Sequence, residues 1–272
     1  FTNSSLEAFP KKQHNKVNLR KLVIGLISAA KLGGEQIIKI SKEPDFEIKS
    51  KGKTKEGVND FLTAADVNSH CSIAHSLWNI FPKLQLISEE DVTDKTCLNV
   101  GDSFDLDPSI LGNVDLPQDI NVSTDDITLW IDPLDATKEF TENLFEYVSV
   151  MICVADRKTG EAFMGVVYFP LSKQVYWAWK GQGVSENLAN VKADLTEIVQ
   201  NPIAIVSMSH AGEVKSLVKT MLGERVSVLN AAGSGYKIVQ VNSLINNLLP
   251  LIDELFFRFS KAKPQFTSIK LE

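Results

Sequence analysis

Cysteine is scarce in this sequence. Cys71, Cys97 and Cys153 are scattered through 272 residues, without the spacing of a zinc site or a disulfide framework, and they read as buried free thiols. Long apolar runs are also missing. The stretch Leu22 to Ala30 falls far short of the ~20 residues that a membrane helix needs, so no span is expected within the chain. Excess positive charge is absent as well: 28 Lys and Arg stand against 34 Asp and Glu, a net charge of -6. Nothing here draws the chain to a nucleic acid polymer or an anionic membrane, and a small anionic substrate would need local positive charge, most simply bound metal. No Ser or Cys sits in a recognisable nucleophile motif. Phe1 is not an initiator Met, so the chain reads as processed or as a fragment, and its location cannot rest on the lack of a leader. The triplets Asn3-Ser4-Ser5 and Asn121-Val122-Ser123 fit the glycosylation acceptor pattern and lean slightly towards a lumenal compartment.

What is present is an ordinary globular composition, 44% hydrophobic and 23% charged, enough for a large core. Lys16 to Lys42 carries apolar residues at helical spacing and predicts one amphipathic helix, loosened at Gly33-Gly34. Lys49 to Asn59 predicts a loop or hairpin. Thr63 is placed to cap a helix reaching Phe81. Leu84 to Ile87 then predicts a short strand that delivers Ser88-Glu89-Glu90 at its exit. From Asp91 to Asp126 the chain is acidic and turn-rich, as an exposed insertion would be. Ile127 to Ile131 predicts a buried strand ending at Asp132-Pro133. Tyr147 to Val154, Ala162 to Phe169 and Gln174 to Trp179 predict an antiparallel meander. Ile203 to Ser207 is a further strand, Ala211 to Leu222 a helix, Val226 to Leu229 a strand, and Ser234 a helix start. With no internal repeat and no long linker, one layered domain or two tightly joined halves is expected.

The chemistry concentrates at Asp132-Pro133-Leu134-Asp135-Ala136-Thr137. Proline fixes the turn, and two carboxylates with the Leu134 carbonyl can face one point, the all-oxygen donor mixture that a hard cation takes. Taken alone, the same residues are equally an Asp-Pro turn whose acid caps the following helix. Glu89 at a second strand exit and Asp60 in Asp60-Phe61-Leu62-Thr63-Ala64-Ala65-Asp66 add acids from two other elements, as a two-metal site requires. Glu90 and Asp66 are assigned supporting roles.

In that order and at those separations, the motifs resemble the inositol monophosphatase superfamily. Lys138-Glu139-Phe140 is similar to its bisphosphonucleotide branch, and Lys51-Gly52-Lys53-Thr54-Lys55-Glu56-Gly57 resembles a Golgi-resident member of that branch. The resemblance covers about Asn18 to Lys237. It implies an α/β fold, a layered αβαβα sandwich of the sugar-phosphatase type, and a phosphatase domain over 1–237. Within that domain 17–180 would be the metal-binding half and 181–237 the start of the substrate half. It implies two or three Mg²⁺ ions held by Glu89, Asp132, the Leu134 carbonyl and Asp135, with Asp60 and Thr137 orienting and deprotonating a water for direct in-line hydrolysis. Ala136, Thr137, His210, Ser234 and Lys237 would contact the substrate, expected to be adenosine 3',5'-bisphosphate, with an inositol phosphate as the alternative. Lithium inhibition, a homodimer and a Golgi lumenal location, against a cytoplasmic one, are further implications.

The tail 238–272 departs from the pattern. The resemblance implies a later Lys-x-Trp-Asp segment whose acid is a further metal ligand, yet no Trp follows Trp179, and Asp253 has a different context. The sandwich is therefore expected to be incomplete at its C-terminal end and the second ion to be weakly held. A nucleotide-binding chain with impaired catalysis is the alternative from a different class.

Overall fold

The computed structural model describes residues 16–53, 57, 59–90, 97, 103–189, 203–208, 214–223, 225–245 and 267–269. Its frame is a sheet of seven strands in the order β10-β9-β8-β7-β6-β4-β13. These strands are β4 (Gln85–Ser88), β6 (Ile127–Asp135), β7 (Ser149–Asp156), β8 (Ala162–Phe169), β9 (Gln174–Trp179), β10 (Gly183–Val184) and β13 (Thr267–Ile269). From β6 to β10 the sheet is an antiparallel meander, as the β-rich runs predict, whereas β4 lies parallel to β6. Strand β6 is fully buried and continues past the expected end at Ile131 to Asp135. Pro133 is accommodated because the pairing of β6 with β7 breaks register between Asp132 and Asp135, the kind of irregularity to which a proline in a sheet is confined.

Alternation along the central strands sends side chains into two separate cores. Ile131, Val150, Ile152 and Val154 face helices α1 (Leu19–Ile40) and α2 (Ala64–Ile80), while Trp130, Met151 and Cys153 face Ile238 and Val239 of helix α6 (Ser234–Ile245). A separate parallel pair, β11 (Ile203–Ser207) and β12 (Ser227–Ala231), is joined in sequence through helix α5 (Val214–Leu222), which packs on β11. Helices and sheets together make a mixed α/β fold, the class expected.

Local chemistry explains the boundaries on the site side. Strand β1 (Lys16–Asn18) pairs with β5 (Asn121–Ser123), so α1 starts only at Leu19, with the Asn18 side chain accepting from the Lys21 N–H at 3.0 Å. The helix runs unbroken through Gly33-Gly34, against the loosening expected. A Cβ on Gly33 would fall 2.6 Å from Ser69 Oγ, so glycine is used for the close approach of α2, not for a hinge. The stretch from Lys49 forms the hairpin β2 (Lys49–Lys53) and β3 (Asn59–Leu62). Helix α2 then opens with a reciprocal capping box, Thr63 and Asp66 each satisfying the other's backbone end, a device worth ~1 kcal/mol.

Two further expectations are corrected. The acidic insertion is not simply exposed: Leu111 and Leu116 are buried, and Phe104, Leu106 and Ile110 pack on the α1–α2 core, because the apolar residues between its acids gain by leaving water. Cys71 and Cys97 are not free thiols. They form a disulfide across 26 residues, which ties Cys97 to α2. Cys153 is buried and free, as expected, and burial alone raises its thiol pKa far above the usual range.

Candidate active site

Three elements converge at the exit of the parallel pair β4–β6. Ser88 lies opposite Ile131, and the Glu89 N–H donates to the Ile131 carbonyl at 2.9 Å, which sets Glu89 beside Asp132. Asp132 and Asp135 are both buried, at 0% and 2% exposure. Asp135 Oδ2 accepts from the Gly235 N–H at 2.9 Å, with Ser149 Oγ at 3.4 Å. Gly233 has φ of 65°, and a Cβ there would meet the Tyr147 carbonyl at 2.5 Å and Asp135 Oδ2 at 3.0 Å. Glycine therefore lets the start of α6 press against the acidic turn.

Helix α2 closes the site from the other side. Ser69 Oγ donates to the Pro133 carbonyl at 2.7 Å, fixing the turn. Thr137 Oγ1 donates to Asp66 Oδ1 at 3.0 Å, with the Leu134 carbonyl a second acceptor at 3.1 Å. Asp66 Oδ2 accepts from both the backbone N–H and the hydroxyl of Thr63, at 2.8 and 2.6 Å. Burial raises the Asp66 pKa, and the Thr63 hydrogen bonds offset part of that rise. Ala136, between Asp135 and Thr137, is left-handed at φ 69° and ψ 45°, a conformation that costs a residue with a Cβ ~1–2 kcal/mol.

Asp60 stands elsewhere than the motif suggests. It lies on β3, and its carboxylate is 3.7 Å from Lys51 Nζ, while the partner of Thr137 is Asp66. The reason is the capping box, which turns Asp66 inward on the first turn of α2 and leaves Asp60 on the hairpin. Thr63-x-x-Asp66 before an apolar run was the available signal. Lys51, on β2, had no signal of its own. Its ammonium lies 2.9 Å from Glu90, 3.7 Å from Asp60 and 3.9 Å from Glu89. Burial would lower its pKa, but these carboxylates, Glu90 foremost, more than offset that and hold it above the usual lysine range. Glu90 is itself buried, and burial raises its pKa despite Lys51.

Ser234 begins α6, and Lys237, half-buried, lies one turn on, both on the helix that reaches Asp135 through Gly235. His210 lies outside the described residues. Among the described residues no three His, Cys, Asp or Glu side chains close to metal-holding distance. The donors nonetheless suit a hard cation: carboxylates and a backbone carbonyl, with one cation, the Lys51 ammonium, already gathered among three of the acids.

The inositol monophosphatase family profile matches residues 18–243. The chain belongs to that family. A Drosophila melanogaster protein that carries the name inositol monophosphatase 3 is 44% identical over 227 residues, 84% of this chain and 62% of that protein. The Golgi-resident adenosine 3',5'-bisphosphate 3'-phosphatase of Mus musculus is 36% identical over 225 residues, 82% of this chain and 60% of that protein. This inositol monophosphatase family chain thus spans about three-fifths of the length of such relatives. In fold it is similar to the crystal structure of the extragenic suppressor protein suhB from Bartonella henselae, with a TM-score of 0.60, 16% identity, and coverage of 82% of this chain and 75% of that one.

Proposed function

We propose that this site hydrolyses a phosphate monoester with a water held by Asp66 and Thr137, and that its substrate is adenosine 3',5'-bisphosphate, released as AMP and phosphate. The observation that carries the reading is the junction of Thr137 with Asp66 and the Leu134 carbonyl, next to Asp132, Asp135 and Glu89. Glu89, Asp132, the Leu134 carbonyl and Asp135 would hold magnesium. Bound there, the metal would neutralise phosphate charge and acidify water.

The chain's own residues manage the proton. Thr137 donates to Asp66, which leaves its oxygen free to accept a hydrogen bond from a water. As that water attacks phosphorus, its proton passes to Thr137 while the Thr137 proton passes to Asp66. The new P–O bond forms from water, the ester P–O bond breaks, the 3' oxygen of the nucleotide takes its proton from a solvent water, and Asp66 returns its proton to solvent. Burial of Asp66 favours this direction, since it raises the basicity of the carboxylate. Ser234 and Lys237, on the helix tied to Asp135 through Gly235, would meet the nucleotide's other phosphate, and Ala136 and Thr137 would contact the scissile one. For His210 the family resemblance alone supports a substrate contact.

An inositol phosphate is the second reading, favoured by the 44% identity to a relative named inositol monophosphatase 3. Phosphate release from the two substrates by the purified, folded chain with magnesium separates them. If neither is hydrolysed while calorimetry detects nucleotide binding, the chain is a binding protein and the hydrolytic reading fails. A Golgi lumenal location is supported by the Golgi-resident relative and by the Cys71–Cys97 disulfide, which persists in oxidising compartments. No described helix is long and apolar enough to cross a membrane.

A further inference from the structure

A lysine whose ammonium reaches Glu89, an acid assigned to metal, is an unusual placement, and the mechanism does not use it. Lys51 Nζ draws together Glu90 at 2.9 Å, Asp60 at 3.7 Å and Glu89 at 3.9 Å, carboxylates contributed by the hairpin and by the exit of β4. The residues of β2 are exposed, but the Lys51 side chain turns inward to 26% exposure, and the pairing of β2 with β3 breaks register between Ser50 and Gly52. The ion pairs of Lys51 tie this strand to the end of β4.

We propose that Lys51 is a tethered cation that competes with the metal ion for Glu89, holding the β2–β3 hairpin docked until the ion displaces it. This rests on Glu89 being a metal ligand. Two cations cannot share one carboxylate cluster without strong repulsion, and the divalent ion gains more from the acids than the ammonium does. Loading therefore exchanges one cation for another, and the displaced lysine carries its strand outward. The emptied position leaves Glu89 free to close on the ion, while Glu90 and Asp60 lose their ammonium partner and face the incoming charge. The hairpin becomes a reporter of metal occupancy and a brake on metal affinity.

The test uses the whole chain and magnesium alone. Calorimetry on wild type, Lys51→Met, Lys51→Arg and Asp132→Asn is combined with hydrogen exchange of the 49–53 amides. Lys51→Met is expected to bind magnesium about tenfold tighter than wild type, a change of ~1.4 kcal/mol, and Lys51→Arg no tighter than wild type. In wild type, magnesium should speed exchange of the hairpin amides and tryptic cleavage after Lys51. In Lys51→Met the hairpin should exchange fast with or without the ion. Equal or weaker binding by Lys51→Met overturns the proposal, as does a hairpin that magnesium protects. Should Lys51→Met fail to fold because Glu90 is left buried without its partner, the wild-type exchange experiment decides alone. Binding in wild type that Asp132→Asn abolishes but Lys51→Met leaves unchanged defeats only the role of Lys51. No magnesium binding to wild type or Lys51→Met defeats the metal reading as well.

Discussion

Asp66 and Thr137, 71 residues apart, meet at 3.0 Å, so that the first turn of α2 is joined to the acidic turn after β6. The same carboxylate closes the capping box of its helix through Thr63. One residue thereby fixes the helix start and orients the hydroxyl that faces the acids, and a change there has two separable consequences.

Asp66→Asn is expected to lower turnover by roughly 10²–10⁴, the range for loss of a positioned general base. Asn retains an acceptor for Thr63, so the melting temperature should change little. Asp60→Asn, on the hairpin, should cost less than about tenfold. Steady-state kinetics of the pair beside their melting curves decide between the two aspartates, and a larger loss in Asp60→Asn would return the base to the hairpin. Thr137→Ser should keep most activity and Thr137→Val little, because only the hydroxyl is needed.

Ala136 holds a left-handed conformation with φ of 69°, which glycine adopts without the clash of a Cβ. Ala136→Gly is expected to stabilise the chain by ~1 kcal/mol, the relieved strain outweighing the greater freedom of glycine when unfolded. Urea denaturation measures it. A loss of stability would mean that the Cβ makes packing contacts worth more than the strain.

The acidic turn was legible because its information is local: two acids, a proline and a hydroxyl lie within six residues at the end of a buried strand. The meander was legible for the same reason, since β-rich runs and the turn residues between them declare themselves over short windows. The contact of Thr137 with Asp66 and not with Asp60 was less legible, because the two acids, six residues apart in sequence, differ only in whether they precede or follow the helix start. Lys51 and the Cys71–Cys97 bridge were illegible for a stronger reason. Each depends on chain segments brought together from 26 or more residues away, and neither has a spacing that marks it. Glu89 was found through its strand, whose exit the parallel pairing with β6 carries to Asp132.

Reduction of the Cys71–Cys97 bridge opens a loop of 26 residues that links α2 to the segment after Glu90. Closing a loop of that size restricts the unfolded chain by ~3 kcal/mol. Cys71→Ser, or reductant added to wild type, should lower stability by about 2–4 kcal/mol, while Cys153→Ala changes it less. A free-thiol count of one in the denatured, unreduced chain checks the bridge directly, and a count of three would refute it.

His70 supplies the pH dependence. It sits at 2% exposure on α2, its Nδ1 2.8 Å from Ser88 Oγ at the end of β4. Burial, with a smaller contribution from His75, lowers its pKa from 6.5 to about 4. The folded chain therefore keeps it neutral in a range where the unfolded chain binds a proton. The unfolded state gains protons as pH falls, so stability is unaffected above the unfolded value and declines as pH drops from 6.5 towards 4. At about 1.4 kcal/mol per pKa unit, the loss totals ~3 kcal/mol before it levels off below the folded value. His70→Gln, which keeps a hydrogen bond to Ser88 and cannot take up this proton, should flatten that part of the curve. Urea midpoints between pH 4 and 8 for the two chains measure the difference. Parallel curves would place the acid sensitivity in other groups and leave His70 charged inside the fold.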